Sequence, residues 1–272
     1  MTNIMDWQAQ VGRTWADNYQ LTDRSFAGLT ERLLQRVTER VGDAVLDIGC
    51  GAGELSLAIA RTRPGARVVG VDVSIDLIDA ARQRGAQLTN AEFVLADAGS
   101  WHEPDFAPDL LVSRHGVMFF DDPVAAFANL HDSASADAEM VFSCFRNASE
   151  NPWAAGMAKV LELPPAGGST APGPFAFADP QHVEDILSAA GWQGIAFEPV
   201  DFAYVAGVGD DPVADALAFF RRIGPAAPIL RGLDGAARDA AEARLADWLD
   251  GHRSGNLIAF GAAAWIVTAC HD

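Results

Sequence analysis

Val45-Leu46-Asp47-Ile48-Gly49-Cys50-Gly51-Ala52-Gly53-Glu54 decides the fold of this 272-residue chain. Ala44–Ile48 is a short apolar run of the kind that forms a buried strand, and it leads straight into Gly-x-Gly-x-Gly. Helical spacing follows over Leu55–Arg61. Glycines between a strand and a helix allow a tight turn and let a ligand rest on bare backbone. Such a loop points to a nucleotide-like ligand and leaves its identity open. The spacing narrows the choice. A dinucleotide loop needs Gly-x-Gly-x-x-Gly so that the helix packs close to the sheet. Counted from Gly49, the third glycine position holds Glu54. A phosphate cradle needs Gly-Lys-Ser/Thr, whereas Gly53 is followed by Glu54-Leu55. A carboxylate repels a pyrophosphate but attracts a sulfonium or an ammonium, so Asp47 and Glu54 both suit a cationic ligand.

On either side of the loop the pattern alternates. Phe26, Leu29, Leu33, Leu34 and Val37 predict an amphipathic helix over Asp23–Arg40, stopped by Gly42. Downstream, strands are predicted at Arg67–Val71, Ala91–Leu95, Asp109–Ser113 and Glu139–Phe145, with helices at Ile75–Arg84 and Pro123–Asp132. This order implies an α/β domain whose parallel sheet has helices on both faces and its site at the carboxyl ends of the strands. Two acids fall at those ends. Asp72 closes the second strand, where a carboxylate can accept both hydroxyls of a ribose. Asp97 follows the third, where one can accept from an adenine amino group.

Val45–Glu54, Val69–Ser74 and Phe93–Ala98 together resemble the first three motifs of class I S-adenosylmethionine-dependent methyltransferases, over roughly the first half of the chain. The resemblance implies a Rossmann-like seven-stranded sheet of order 3-2-1-4-5-7-6, strand seven antiparallel. It also implies S-adenosylmethionine as cofactor and S-adenosylhomocysteine as product. The glycine loop (Asp47, Gly49, Cys50, Gly51, Gly53) would wrap the methionine moiety, Asp72 and Val73 would hold the ribose, and Asp97 and Ala98 the adenine. Ser113 would complete the set, and Ile75 and Leu77 stand where adenine-packing residues lie. Ser113–Pro123, Phe175–Pro180 and Arg222–Pro225 are similar to a bacterial subgroup acting on small molecules. One departure is Ser133–Ala138, which stands where the family often has an Arg-Pro-Gly-Gly-like turn.

Composition bounds the acceptor. The net charge is −18, from 37 acidic against 19 basic residues, and Lys159 is the only lysine. A nucleic-acid substrate needs a basic surface, and an anionic membrane would repel this one. Cys50, Cys144 and Cys270 are too few and too scattered for a disulfide framework or a metal site. Met1–Trp7 lacks the features of a signal peptide, so a reduced, cytoplasmic protein of one domain over residues 1–272 is expected, with a small-molecule acceptor and no metal. The oligomeric state is left open.

Beyond Phe145 the rhythm breaks. Leu163–Pro180 reads as a loop, either a lid or a surface linker anchored by Phe175 and Phe177. Asp179-Pro180 marks an N-cap and first turn of a helix ending at Gly191. A sixth strand is predicted at Ile195–Tyr204, helices at Pro212–Ile223 and Ala236–Asp250, and a last strand at Ala262–Ala269. Residues 146–178 and 206–255 are thus insertions placed to select substrate, and residues 1–43 form an N-terminal helical segment. Trp7, Trp15 and Tyr19 are spaced to share one helical face. They either staple that segment to the domain or, through Trp15, cover the cofactor. After strand four, His115 stands where a methyl acceptor would lie and is either a base or a polar loop residue. Arg114 either binds an anionic acceptor or braces the loop.

The reaction implied is in-line displacement, in which alignment in a dry site does most of the work. An apolar or aromatic acceptor suits Trp153, Phe175, Phe177, Phe219 and Phe220, although core packing accounts for the same residues. Two other readings stay open: a cofactor-binding partner without chemistry, and a nicotinamide-dependent oxidoreductase, against which the glycine spacing counts.

Overall fold

Five short, almost wholly apolar strands, each followed by a helix or loop, form the parallel part of one sheet: β1 (Ala44–Ile48), β2 (Arg67–Asp72), β3 (Ala91–Leu95), β4 (Leu110–Arg114) and β5 (Glu139–Phe145). Strands buried on both faces read as continuous Val/Leu/Ile runs, and the interiors of β1, β2 and β4 do so. The computed structural model describes residues 4–163 and 170–271. Residues 164–169, inside the loop expected at Leu163–Pro180, lie outside that description.

Helices α4 (Glu54–Thr62), α5 (Ile75–Gly85) and α6 (Pro123–Ser133) follow β1, β2 and β4. Preceding them are α1 (Ile4–Gln8), α2 (Gln10–Asp17) and α3 (Tyr19–Thr38). Aspartate followed by proline opens three helices. The Asp122 carboxylate accepts from Ala125 N–H at 3.0 Å to start α6. Asp179 accepts from Gln181 N–H at 3.0 Å to start α8 (Pro180–Ala189), and Asp211 from Ala214 N–H at 3.0 Å to start α9 (Pro212–Phe220). Each such cap contributes about 1 kcal/mol. The departure at Ser133–Ala138 makes an ordered turn all the same, with Ser135 N–H bonded to Pro108 O at 3.0 Å and Ala138 N–H to Ser135 O at 2.9 Å.

The sheet is completed by β6 (Gln193–Val208) and β8 (Leu257–Cys270), with the two-residue β7 (Arg253–Ser254) paired to β8. Its order is β3-β2-β1-β4-β5-β8-β6, and β8 runs antiparallel between β5 and β6. This is the order expected from the sequence, with β8 in the place of strand seven. Both late strands are longer than their local pattern predicts. Glycines and alanines weaken a strand signal, yet the ladder runs through Ala203↔Gly261 and on to Val208↔Leu257 because the two strands pair with each other.

The inserted helices cover this extended hairpin. α7 (Pro152–Val160) packs on β8, α9 on β6, and α11 (Gly235–Asp250) against both, with α10 (Ala226–Gly232) beside it. α7 and α11 meet where Gly156 abuts the Trp248 ring, only 2.6 Å from where a Cβ would stand. Residues 146–178 therefore contain a helix, α7, ahead of the loop expected at Leu163–Pro180. Among the described residues, no helix is long and apolar enough to cross a membrane.

Candidate functional site

The glycine loop is built by three backbone constraints. Gly49 has φ +63°, and a Cβ there would come within 2.9 Å of Gly116 Cα, so the exits of β1 and β4 touch backbone to backbone. Gly51 has φ +55°, and the direction of its missing Cβ faces open space. Gly53 fits tightly over Phe93 and Ala81. Gly51 thus leaves open space at its backbone, while Gly49 and Gly53 close the packing on either side.

Asp72 ties this loop to the end of β2. It is 8% exposed, and its two oxygens accept from Gly51 N–H and Ser74 N–H, each at 2.9 Å. Burial raises its pKa, against the pull of those N–H groups. Each carboxylate oxygen keeps a second lone pair for a ligand hydroxyl. Leu95 lies opposite Asp72 in the ladder, and Leu95 and Ile75 are exposed, although large hydrophobic residues favour burial. Leu77, by contrast, is buried inside the domain, away from the adenine-packing role expected for it. Asp97 is exposed and uses Oδ1 to accept from Gly99 N–H at 2.9 Å. Ala98 is buried beside it, and Val73 is half-buried between Asp72 and Ser74.

Three residues expected at the ligand face inward instead. Asp47 is buried and accepts from Ser56 N–H at 3.0 Å and from the Ser56 hydroxyl, so it positions the first turn of α4. Burial pushes its carboxyl up to about 6, opposed by those bonds and by Arg114. Ser113 donates to Ile48 O at 2.7 Å and accepts from Gly116 N–H at 3.1 Å, stapling the exit of β4 to that of β1. Cys50 is buried against Gly70, and burial pushes its thiol well up, the opposite of an activated nucleophile.

Glu54 and Arg114 occupy each other, which favours the bracing reading of Arg114 over the anion-binding one. They form an ion pair, Arg114 also donates to Thr30 Oγ1 at 2.8 Å, and Asp23 lies 3.7 Å away. Arg84 completes the group, reaching Asp23 at 2.7 Å and Ala52 O at 2.8 Å while its guanidinium lies over Tyr19 at 4.3 Å. Two arginines and two acids are matched within this network. Arg114 is therefore a brace between α3 and the loop, and Glu54 is neutralised before any cationic ligand arrives.

The N-terminal segment packs on the same strand ends. Gly12 is buried where a Cβ would stand 2.1 Å from Ser74 Oγ, so α2 crosses the start of α5 just beyond Asp72. Trp7 meets Trp15 edge-on at 5.3 Å and Phe119 at 5.2 Å. The single aromatic face expected for Trp7, Trp15 and Tyr19 is instead divided among three helices, with Tyr19 under Arg84. Phe175 and Phe177 also diverge. Phe175 is half-buried against Phe145 (5.7 Å) and Trp153 (6.2 Å), whereas Phe177 is a core anchor against Phe127 and Phe142. The substrate contact expected of Phe177 is corrected on that ground.

His115 sits at the exit of β4 with φ +64° and is 8% exposed. Its ring stacks on Phe145 at 4.1 Å and meets Phe26 edge-on at 5.4 Å. Burial, with a smaller contribution from Arg114, pushes its pKa down to about 3. An imidazole of that basicity takes protons poorly at neutral pH, so of the two readings open for His115 the polar loop residue is favoured over the base. The residues around it that the sequence did not single out are Phe26 and Tyr204, which bring α3 and β6 to the end of β5. Their helical and strand periodicity marked them only as core.

Residues 45–137 match the family model described as a methyltransferase domain. A trans-aconitate 2-methyltransferase of Paracidovorax citrulli (strain AAC00-1) is 41% identical over 88 residues, 32% of this chain and 33% of that protein. A phosphoethanolamine N-methyltransferase 1 of Arabidopsis thaliana is 32% identical over 99 residues, 36% of this chain and 20% of that protein. The chain thus spans a third or less of the length of these two curated relatives. A solved S-adenosylmethionine-dependent methyltransferase of Thermotoga maritima superposes with TM-score 0.56 at 11% identity, over 96% of this chain and 98% of that one. The matched segment is the one that builds the glycine loop and the acids beyond it, and the fold is that of the class I S-adenosylmethionine-dependent methyltransferases.

Proposed function

We propose that this chain transfers a methyl group from S-adenosylmethionine to a small acceptor with an apolar or aromatic body. One observation carries the reading: Gly51 presents open backbone while its N–H is held by Asp72 at the end of β2, where a carboxylate can accept ribose hydroxyls. The fit extends to the exposed pair Leu95 and Ile75, which suit the face of a purine, with Asp97 at hand for its amino group.

S-adenosylmethionine supplies a methyl carbon already activated by a positive sulfur. What remains for the protein is to bind, align and exclude water. Asp72 orients the ribose. Asp47, though inward, and Asp72 lend negative potential to the loop. Trp7, Trp15 and Phe119 close the strand ends from above. The acceptor enters from the β4–β5 side, where Phe145, Phe175 and Trp153 form an apolar wall. The acceptors named for the two relatives carry carboxylates or a phosphate. Here Arg146, next to Phe145 in sequence, is paired with Glu150 and Asp201, and Arg114 with Glu54, which favours an uncharged acceptor.

Titration calorimetry on the intact chain with S-adenosylmethionine and S-adenosylhomocysteine should give saturable heat at one site. Turnover against phenols, carboxylates and amines should then release S-adenosylhomocysteine fastest with the phenols. Absence of heat with either nucleoside would refute the reading.

A further inference from the structure

The geometry points to His115 as the residue that selects the methyl acceptor, its Nε2 accepting a hydrogen bond from an O–H or N–H on an otherwise apolar ring. This rests on the methyltransferase reading above and adds to it the chemical handle that the acceptor must carry.

The imidazole is fixed at three points. The chain leaves β4 in the left-handed region, which a non-glycine residue adopts at a cost, and His115 is one of only two such residues among those described. Gly116 enforces the bend, since a Cβ on it would stand 2.5 Å from Ile48 O. His115 N–H donates to Ser143 O at 3.1 Å, and Nδ1 lies 3.2 Å from the same carbonyl. The Ser143 hydroxyl also lies 3.4 Å from Nδ1 and can accept or donate, but the shorter contact is to the carbonyl, which only accepts, so Nδ1 carries the proton and Nε2 presents a lone pair. The ring is then clamped by Phe145 and Phe26.

Nε2 is buried and has no hydrogen-bond partner. Buried acceptors are ordinarily satisfied, and one left bare invites a functional explanation. Its position supplies one. His115 is adjacent to Gly116, whose Cα touches Gly49 of the glycine loop, so the residue stands at the strand end beside the proposed donor site. The neighbouring side chains Phe26, Phe145, Phe175, Trp153 and Tyr204 are aromatic, and the one adjacent cation, Arg114, is matched to Glu54 and Asp23. Such a lining, buried except at the half-buried Phe175, suits a ring and offers one directional polar contact. A site built to bond a donor group rejects the analogue that lacks it far more strongly than an apolar pocket rejects an extra methyl. The low basicity that burial imposes agrees with an acceptor of hydrogen bonds and disagrees with a base.

The test uses the full chain saturated with S-adenosylhomocysteine and two matched probes, 2-naphthol, which has a donor, and 2-methoxynaphthalene, which has none. Calorimetry should show 2-naphthol binding at least tenfold tighter. The ¹⁵N resonance of His115 Nε2 should move upfield with 2-naphthol alone and should not titrate near neutral pH. His115→Phe should bring the two probes within twofold of each other while leaving S-adenosylhomocysteine affinity unchanged. Should that variant fail to fold, His115→Asn tolerates the left-handed backbone, keeps an acceptor oxygen and should retain part of the preference. Equal affinity for the two probes in the native chain, including no binding of either, overturns the assignment. So does an Nε2 resonance that titrates near neutral pH. Heat with S-adenosylhomocysteine but no probe preference sinks only the role of His115, whereas no heat with S-adenosylhomocysteine sinks the methyltransferase reading beneath it.

Discussion

The two ends of the sheet do their work with different parts of the chain. Around β1, β2 and β3 the site is made of backbone: Gly51 N–H, Ser74 N–H and the carboxylate of Asp72 that holds them. Around β5, β8 and β6 it is made of side chains, with Phe26, Phe145, Trp153, Phe175 and Tyr204 drawn from five separate segments. Backbone recognition tolerates little change because conformation itself is the ligand-binding group. A wall of rings can be recut residue by residue while the sheet persists. On the proposed function, one half would fix the donor and the other would be free to choose the acceptor.

If that division holds, damage to the ring wall should spare the donor site. Trp153 offers the largest effect. It is 4% exposed, stacks on Tyr204 at 4.8 Å and donates Nε1–H to Asn151 Oδ1 at 3.2 Å. Trp153→Ala should cost about 3–5 kcal/mol of stability in chemical denaturation, from lost burial and the cavity left behind. Affinity for S-adenosylhomocysteine, measured on the folded fraction, should stay within about twofold, because separate sites contribute nearly additively. A parallel loss of stability and nucleoside affinity would break the comparison.

The reverse experiment removes a backbone clamp. Asp72→Ala deletes the acceptor for two N–H groups and, on the proposed function, the ribose partner as well. Binding of S-adenosylhomocysteine should weaken at least tenfold, on the order of 1.4 kcal/mol, by calorimetry. Thermal stability should fall less than in the Trp153 variant. Unchanged affinity in a folded Asp72 variant would remove its ribose role.

The same division explains what the sequence disclosed. The loop, the place of Asp72 at the end of β2 and the alternation of strands with helices were legible because each is encoded within a few contiguous residues, whereas the strand order followed from the family resemblance. The pairing of Glu54 with Arg114 was hidden because the two lie 60 residues apart and each alone looked available to a ligand. The inward turn of Asp47 was hidden because its partner, Ser56, is an ordinary helix residue until the fold sets it beside the acid. α10 was missed because Pro228 reads as a break, although proline is tolerated in a first turn. The full length of β6 and β8 was missed because Gly207 and Gly261 weaken a strand locally, and only the pairing of the two strands extends them. Phe177 looked like a lid residue because nothing near it in sequence reports Phe127 and Phe142.

A smaller effect tests whether charge, as well as backbone, distinguishes the donor half. Burial pushes the Asp47 carboxyl up to about 6, with Asp72 adding to the rise and Ser56 and Arg114 opposing it. A carboxyl raised above its unfolded value binds a proton in the folded chain where the unfolded chain has lost it. Its contribution to stability therefore declines as pH rises from the ordinary aspartate range through about 6. A cationic ligand reverses the balance by favouring the ionised form, so affinity for S-adenosylmethionine should strengthen between about pH 5 and about pH 7. S-adenosylhomocysteine lacks the sulfonium charge and should strengthen less over the same range. Asp47→Asn keeps an oxygen for Ser56 and removes the titration. It should flatten the S-adenosylmethionine profile and weaken binding about threefold at neutral pH, about 0.65 kcal/mol. An unaltered profile in that variant would assign the titration to another group and leave the donor half recognising its ligand through backbone and hydrogen bonds alone.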